Sequence, residues 1–407
     1  MRVLLVAPNA SARMGGEAIL PLHWLRELRA LGVDARLLTH ARCRDELQAS
    51  DYAHMLISYV EDTSAEIALW KFSAKTGGIV SRLSGFLLSL VSMVSLGCEV
   101  RRMTQAEDFD LIHQVTPVSP RLPSPVTHPK VPVLIGPLNG NMTYPDGFAA
   151  TYGDGSEEAE GRARQFSEIV HRFFPGKPRA ARIYSSNGRT TEGLPQAVKR
   201  ERVTEFVENG VDLDLWSDGK PMPPGPPKFI YVGRLVGWKA VDILLEAFAA
   251  LDGDATLTIC GDGEARASLE QLTRELGVES RVTFIGSVPQ PEVIRLIEES
   301  HALVLSSVYE CGGAVVLEAM AMARAVIAPN WGGPKDYVTE ETGILVSPTS
   351  RDAFRTGYTD AMASLGKDIE RMQSMGVAGR ARIEEHFAWK KKGAWMFDQY
   401  KEILGRS

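Results

Sequence analysis

Two series of short, unbroken apolar runs, each followed by helical periodicity, set the strongest limit on how this chain folds. The runs are Arg2–Pro8, Asp34–His40, Asp110–Thr116, Pro132–Pro137 and Arg182–Ser186 in the first half. In the second half they are Phe229–Gly233, Thr256–Gly261, Arg281–Gly286, Ala302–Ser307, Ala325–Asn330 and Gly343–Ser347. Continuous rather than alternating apolar residues are the pattern of parallel strands buried on both faces. Between them lie helical stripes, such as Glu17–Leu31 and the set Val241, Leu244, Leu245, Phe248 and Leu251. Alternation of this kind builds doubly wound α/β sheets. At 407 residues the chain is too long for one ordinary core and suits two.

A break falls at Ser217–Lys228, where five prolines and two glycines in twelve residues exclude a helix or a central strand. The interdomain linker is placed near it. The expected organisation is a first Rossmann-like domain over residues 1–205 and a second over 206–389. A last helix, about residues 390–407, is expected to pack back on the first domain. The polar, acidic stretch from Thr151 to Gly161 is expected to be a mobile loop. Ligands of such sheets sit at the carboxyl ends of the strands, so two facing sheets would create a cleft between domains.

The net charge of −6 argues against a dedicated nucleic-acid binder. Cys43, Cys98, Cys260 and Cys311 form no CxxC pair and read as reduced thiols of a cytoplasmic protein. The N-terminal MRVLLVAP lacks the long apolar region and cleavage site of a signal peptide and reads as a buried first strand. Leu83–Gly97, at 15 residues with four serines, falls short of a bilayer span. From Lys71 to Arg102 five basic residues face one acid, Glu99, with Ser81, Gly85, Ser89 and Ser92 at helical spacing. Two readings stand: a helix packed in the first domain, or one lying on an anionic membrane surface.

The most informative segment is Ser306–Tyr337, SSVYECGGAVVLEAMAMARAVIAPNWGGPKDY. Glu310 leaves the end of a strand, Gly312 and Gly313 allow a tight turn, and Glu318 falls one turn inside the helix that follows. Amides at a helix start suit a phosphate or sugar oxygen, and a carboxylate can accept both hydroxyls of a ribose. Taken alone, the two glutamates are as well read as a solvated helix residue and a plain turn.

Here the sequence resembles family 4 of the glycosyltransferases, which has the GT-B fold of two facing Rossmann-like domains. The likeness is carried by IYVGRLVGWKAVDILLEAF at Ile230–Phe248, CGDGEARASLE at Cys260–Glu270, VTFIGSV at Val282–Val288 and TGILVSP at Thr342–Pro348. It implies that Arg234 and Lys239 hold the donor diphosphate, whose charge grows as the glycosidic bond breaks. It implies that Glu318 holds the ribose and that Glu310 lies beside the transferred sugar, with the amides of Gly312 and Gly313 near its hydroxyls. Val288 would pack at the base. In the first domain Gly15 and Gly16 match a glycine pair that approaches the diphosphate, and His113 matches a histidine near the donor sugar.

The resemblance thus implies a retaining, nucleotide-sugar-dependent hexosyltransferase acting in cell-surface polysaccharide or glycolipid assembly. Its partners would be a nucleotide-diphosphate sugar and a glycan, glycolipid or small-molecule acceptor. The loop after Val288 gives no clear guanine-reading carboxylate, Glu292 opening the next helix, so uridine is favoured over guanosine. Asp-x-Asp pairs occur at Asp108–Asp110, Asp212–Asp214 and Asp252–Asp254. With Arg234 and Lys239 available, neither metal nor cofactor is expected. The sequence departs from the family at Cys311, at Ala240 where a glycine is usual, and along Gly136–Phe148, leaving sugar and acceptor open. The rival readings are a sugar-nucleotide epimerase or hydrolase of the same fold, and a catalytically silent nucleotide-binding partner.

Overall fold

The computed structural model describes residues 1–73, 78–152, 167–217 and 221–406; the side chains of residues 73, 78–83 and 86 lie outside that description. So do most of the expected acidic loop, from residue 153 onward, and the small and basic positions Lys75, Ser81 and Arg82.

Among the described residues thirteen strands form two sheets, parallel throughout. The first sheet holds β1 (Arg2–Val6), β2 (Asp34–His40), β3 (Ile57–Val60), β4 (Leu111–Gln114), β5 (Val133–Leu138), β6 (Arg182–Ser185) and β7 (Val203–Glu205). Its order is β3-β2-β1-β4-β5-β6-β7. The second holds β8 (Lys228–Val232), β9 (Thr256–Cys260), β10 (Val282–Gly286), β11 (Ala302–Val304), β12 (Ala325–Pro329) and β13 (Gly343–Val346), in the order β10-β9-β8-β11-β12-β13. Both sheets reverse winding direction beside their first strand, between β1 and β4 and between β8 and β11. Loops diverge at such a point and leave a crevice outside the carboxyl ends.

The runs read from sequence become strands because their side chains fill both faces. Val3, Leu4, Leu5 and Val6 are fully buried, as are Ala302, Leu303 and Val304. Two edge strands, β3 and β7, have no apolar run to announce them. Their residues are mostly half-buried, as one-sided edge packing requires. The helix expected from Glu17 begins later, at Leu20, because Gly16–Ala18 form a separate 3₁₀ turn.

The chain divides into two compact units. The first comprises Met1–Asn141, Glu157–Glu208 and Lys392–Ser407, and the second Met142–Ser156 and Asn209–Lys391. The terminal helix Trp389–Ile403 thus supplies its later residues to the first unit. There Trp395 stacks on Phe206 at 4.0 Å between centroids and Tyr184 meets Trp395 edge-on. Gly393 is required by closeness, since a Cβ there would come within 2.6 Å of Glu27 Cβ.

The second unit begins at Asn209, close to the expected residue 206, and it also takes in residues assigned to the first domain in the sequence reading. The change of unit comes ahead of the proline-rich stretch, because Asn209–Trp216 is already fastened to the second unit. Asn209 donates to the Tyr337 hydroxyl at 3.0 Å, Val211 exchanges backbone hydrogen bonds with Phe387 and Trp389, and Trp216 is buried. Residues 142–152 also cluster with the second unit. Phe148 packs edge-on against Phe354, Trp331 donates to the Thr143 carbonyl at 3.0 Å, and Tyr144 lies 4.8 Å from Tyr309.

The helix Gly78–Ala106 divides the two readings of the apolar, basic segment along its length. Met93, Leu96, Val100 and Met103 are buried in the core of the first unit with Leu4, Ile112 and Ile135. Nearer its start Leu87 is 50% exposed, and the neighbouring helix Ser64–Ser73 presents Trp70 at 58% and Phe72 at 51%. Among the described residues no helix is long and apolar enough to cross a membrane.

Candidate functional site

The site of the second unit is built from the loops that follow β8 and β11, the two neighbours at its winding reversal. Glycines set the first loop. Gly233 and Gly261 have φ of +159° and +144°, and a Cβ on Gly261 would lie 1.9 Å from the Gly233 carbonyl oxygen. One on Gly263 would lie 2.3 Å from that of Leu235. The two loops are instead joined by backbone bonds from Gly233 N to Cys260 O and from Leu235 N to Asp262 O, both 2.9 Å. Only bare backbone fits here, and the contact fixes the loop that carries Arg234.

Arg234 is exposed, its guanidinium 5.8 Å from the Trp238 ring centroid, and among the described residues it has no carboxylate partner. The 3₁₀ turn Gly237–Lys239 follows, and Ala240 caps it with φ +48°. A residue with a Cβ adopts that left-handed conformation at a cost of about 1 kcal/mol, which accounts for glycine being usual at this place in the resemblance. Lys239 is turned inward. Its Nζ pairs with Glu310 Oε2, the two side chains being 14% and 15% exposed, and its carbonyl accepts from Ser306 Oγ at 2.8 Å.

Glu310 is fixed from both sides. Ser307 Oγ donates to its Oε2 at 3.2 Å, and its carbonyl accepts from Gly333 N at 2.9 Å. A Cβ on Gly332 would lie 2.1 Å from that carbonyl oxygen, so the Trp331-Gly332-Gly333 turn has to be bare to approach it. Gly313, with φ +72°, caps the helix Ala314–Ala321, whose first amides have no partner within the helix. Glu318 sits within it. Its carboxyl receives no hydrogen bond or ion pair from the described residues, and burial pushes it up to about 7. It retains a little solvent exposure, enough to be reached.

Val288 is half-buried in the turn after β10. Glu292 lies in the first turn of the helix Gln290–Glu298 and is paired with Arg295, which holds its carboxyl below the usual range. Two of the three Asp-x-Asp pairs have local work: Asp110 receives Arg2 N at 2.7 Å and Arg406 at 2.6 Å, and Asp214 pairs with Lys390 at 2.8 Å.

In the first unit Gly15 and Gly16 are exposed in the loop after β1. Gly16 has φ +67°, and nothing lies within 4 Å of a Cβ placed on either. Their loop is held from behind by Glu46, a residue outside every motif of the chain. Its Oε1 accepts from Ser11 Oγ at 2.6 Å and from the amides of Ala12 and Arg13 at 2.9 and 3.1 Å.

His113 requires a correction. It lies on β4 in register with Leu5 and is wholly buried. Its Nε2 is 2.6 Å from the Gly136 carbonyl, which can only accept, so Nε2 carries the proton. Nδ1 then accepts from the Tyr400 hydroxyl at 2.5 Å. Both ring nitrogens are used inside the core, and burial drives the imidazole down to about 4. The ring holds the terminal helix to the sheet and has no atom to offer a donor sugar. The sign follows directly: the unfolded chain takes up a proton near the ordinary value while the folded one does not, so stability falls as pH drops from about 6.5 to 4. His113→Ala is expected to destabilise the fold by about 2–4 kcal/mol, leaving the Gly136 and Tyr400 groups unsatisfied, while nucleotide affinity of the folded protein stays near wild type. Denaturant unfolding and calorimetry measure both; lost affinity in a stably folded variant would restore the donor role.

Residues 214–382 match the model of the family Glycosyl transferases group 1. The chain is 29% identical over 233 residues to alpha-maltose-1-phosphate synthase of Mycolicibacterium smegmatis, covering 51% of this chain and 58% of that protein. It is 32% identical over 182 residues to alpha-D-kanosaminyltransferase of Streptomyces kanamyceticus, covering 44% and 46%. The matches thus span about half the length of these curated relatives. Solved structures alike over the full chain include a glycosyltransferase from Rickettsia africae, with a TM-score of 0.68, 16% identity and coverage of 100% and 99%. Anabaena HepE in complex with UDP has a TM-score of 0.68, 15% identity and coverage of 99% and 100%.

Proposed function

We propose that the chain, whose residues 214–382 match the group 1 glycosyltransferases and whose pair of parallel α/β domains is of the GT-B type, transfers a hexose from a UDP-sugar to an acceptor hydroxyl with retention of configuration. The carrying observation is the convergence, at one winding reversal, of Arg234, the Lys239–Glu310 pair, open helix amides and the unpartnered Glu318. Arg234 meets the diphosphate as an uncommitted cation. Lys239 shares its charge between Glu310 and the phosphate, so that leaving-group charge is matched by fixed cations. Glu318 accepts the ribose hydroxyls, which replace the water its carboxyl has lost. The acceptor hydroxyl attacks from the face the diphosphate leaves, and a phosphate oxygen takes its proton. No protein base and no metal are required. Uridine is favoured because Glu292 is committed to Arg295 and because a structural neighbour was solved with UDP.

A melting-temperature screen of UDP-, GDP- and ADP-sugars in excess EDTA tests this. A donor at a hundred times its Kd should stabilise the fold by about 2.7 kcal/mol, with UDP-sugars giving the upward shift. Stabilisation seen only with added Mg²⁺ or Mn²⁺, or by no nucleotide, would sink the metal-independent donor site. Labelled donor separates transfer from epimerisation or hydrolysis by its products.

The acceptor side of the reading rests on the first unit. Beside Gly15 lies a cavity of about 610 Å³ lined in part by Asn9, Met14, Trp70, Leu88 and Thr116. Trp70 of its lining is exposed, as are Phe72 and Leu87 of the same two helices, with Lys71 next to Trp70 in the chain. This apolar, basic edge fits the cytoplasmic face of an anionic membrane and a lipid-carried or cell-surface glycan acceptor. Each basic residue contributes about 1 kcal/mol at such a surface, screened by salt. Co-sedimentation with anionic vesicles should therefore be strong at low salt and lost at high salt. A protein that stays in the supernatant with anionic vesicles at low salt points to a soluble acceptor instead.

A further inference from the structure

At the carboxyl end of β2 the structure gathers three potential ligand atoms that no part of the proposed transfer uses. His40 ends the strand and is fully buried. Its Nε2 is 3.2 Å from the Ser92 carbonyl, an acceptor only, so the proton of a neutral ring resides on Nε2. Nδ1 then presents a lone pair. It faces Asp62 Oδ1 at 3.1 Å and Glu66 Oε1 at 3.6 Å. His40 Nδ1 and Asp62 Oδ1 are both buried, and neither has a hydrogen-bond partner. Three lone pairs converging in a site of this depth repel one another unless a cation lies between them.

We propose that His40 Nδ1, Asp62 Oδ1 and Glu66 Oε1 bind one divalent transition-metal cation of the zinc type. The separations suit it. Ligand bonds of about 2.0–2.1 Å in a tetrahedron place neighbouring ligand atoms about 3.3 Å apart, close to the 3.1 and 3.6 Å observed, and all three atoms lie within 4.8 Å of one another. An imidazole nitrogen among the donors favours zinc over magnesium or calcium. The outer supports are in place. Glu66 Oε2 accepts from Thr63 N and Oγ1, both at 2.8 Å, and Ser95 Oγ donates to Oε1 at 3.2 Å. Arg42 Nη1 stands 3.3 Å from Asp62 Oδ1 and is itself held by Asn9 and Ser92, so two carboxylates face one fixed cation and keep a net negative charge for the metal. Such supports orient ligands and tune affinity.

Asp62 and Glu66 also line a cavity of about 590 Å³ together with Asn9, Met14, Arg42 and Trp70. The cation's fourth position opens toward that space, where water or a ligand oxygen completes the set. The cation would clip β2 to the helices Ser64–Ser73 and Gly78–Ala106, from which Glu66, Ser92 and Ser95 come. This inference is independent of the nucleotide site, so either can fail without the other.

The test is calorimetric titration of chelator-stripped full-length protein with Zn²⁺, with metal content by mass spectrometry and Mg²⁺ in a parallel arm. One zinc per chain is expected, not displaced by millimolar Mg²⁺. Asp62→Asn, a change at a partly exposed position, should weaken binding at least tenfold, and Asp108→Asn should not. His40→Gln repeats the loss if it folds. Absence of stoichiometric zinc overturns the proposal. So does binding unchanged in Asp62→Asn, which would place the metal elsewhere, as on the exposed Cys98. Nitrogen NMR showing His40 protonated at both ring nitrogens at neutral pH would also overturn it, since an imidazolium would then fill the metal's place.

Discussion

Arg234→Ala and Lys239→Ala should each lower kcat/KM for transfer by a factor of about 10²–10³, the cost of removing one preorganised donor to developing charge. The two variants should differ in how they lose it. Arg234 is exposed and held only over Trp238, so its removal leaves the fold as it was and weakens nucleoside diphosphate binding. Lys239 is paired with Glu310, both side chains being largely withdrawn from solvent. Its removal strands a carboxylate there, and breaking one side of such a pair costs about 3 kcal/mol or more where burial is complete. Lys239→Ala should therefore also melt lower, and its binding loss should be eased by the further change Glu310→Gln. Steady-state kinetics, calorimetry and melting curves on the single and double variants read this directly. Arg234→Ala with wild-type nucleotide affinity would refute the assignment of the phosphate site.

Glu318→Gln should move stability and binding in opposite directions. The carboxyl titrates at about 7 in the folded protein against an ordinary 4.5. Between those values the folded state holds the proton and the unfolded state does not, so the group destabilises the fold increasingly as pH rises from 4.5 to 7. At pH 8 the penalty is fully present. Replacing the acid by its neutral isostere should then raise stability by up to about 3 kcal/mol, at about 1.36 kcal/mol per pH unit between those two values, with little effect at pH 4. The same change replaces one of the two carboxylate oxygens proposed to accept the ribose hydroxyls with an amide donor and removes the charge, and should weaken nucleotide binding by at least about tenfold. In the wild type, affinity should fall as pH drops below 7, because the carboxylate form is the one that binds. A Glu318→Gln protein that is neither stabilised at pH 8 nor impaired in binding would show the residue to be an ordinary helix surface position.

The architecture was legible because it rests on composition over long windows. Eleven of the thirteen strands follow from unbroken apolar runs. The two missed, β3 and β7, are edge strands whose stability comes from one neighbour rather than from their own side chains. The loops of the candidate site were legible through glycines, whose necessity the structure explains one by one: Gly233 against Gly261, Gly332 against Glu310. What short motifs do not carry is the direction a side chain takes once a fold exists. His113 matches by position, yet its ring is consumed by Tyr400, 287 residues away in sequence. Lys239 matches as well, yet in this structure its nearest negative charge is Glu310. The segment Gly136–Phe148 stood out only as unfamiliar. Its later part proves to be apolar and aromatic packing onto Tyr309, Trp331 and Phe354, contacts that a strand-based reading has no means to foresee.

The return of the terminal helix to the first unit has a consequence for biosynthesis. A ribosome delivers the chain from its N-terminus, and domains ordinarily close as they emerge. Here the second unit ends at Lys391, whereas the first waits for Lys392–Ser407. Until those last residues appear, Phe206 lacks Trp395, Tyr184 lacks its edge-on neighbour, and the buried His113 lacks the hydroxyl of Tyr400. Order of synthesis and order of completion are therefore inverted. The unit made first is finished last, and a chain cut before Lys392 would hold the second unit whole while the interior of the first is still open to water.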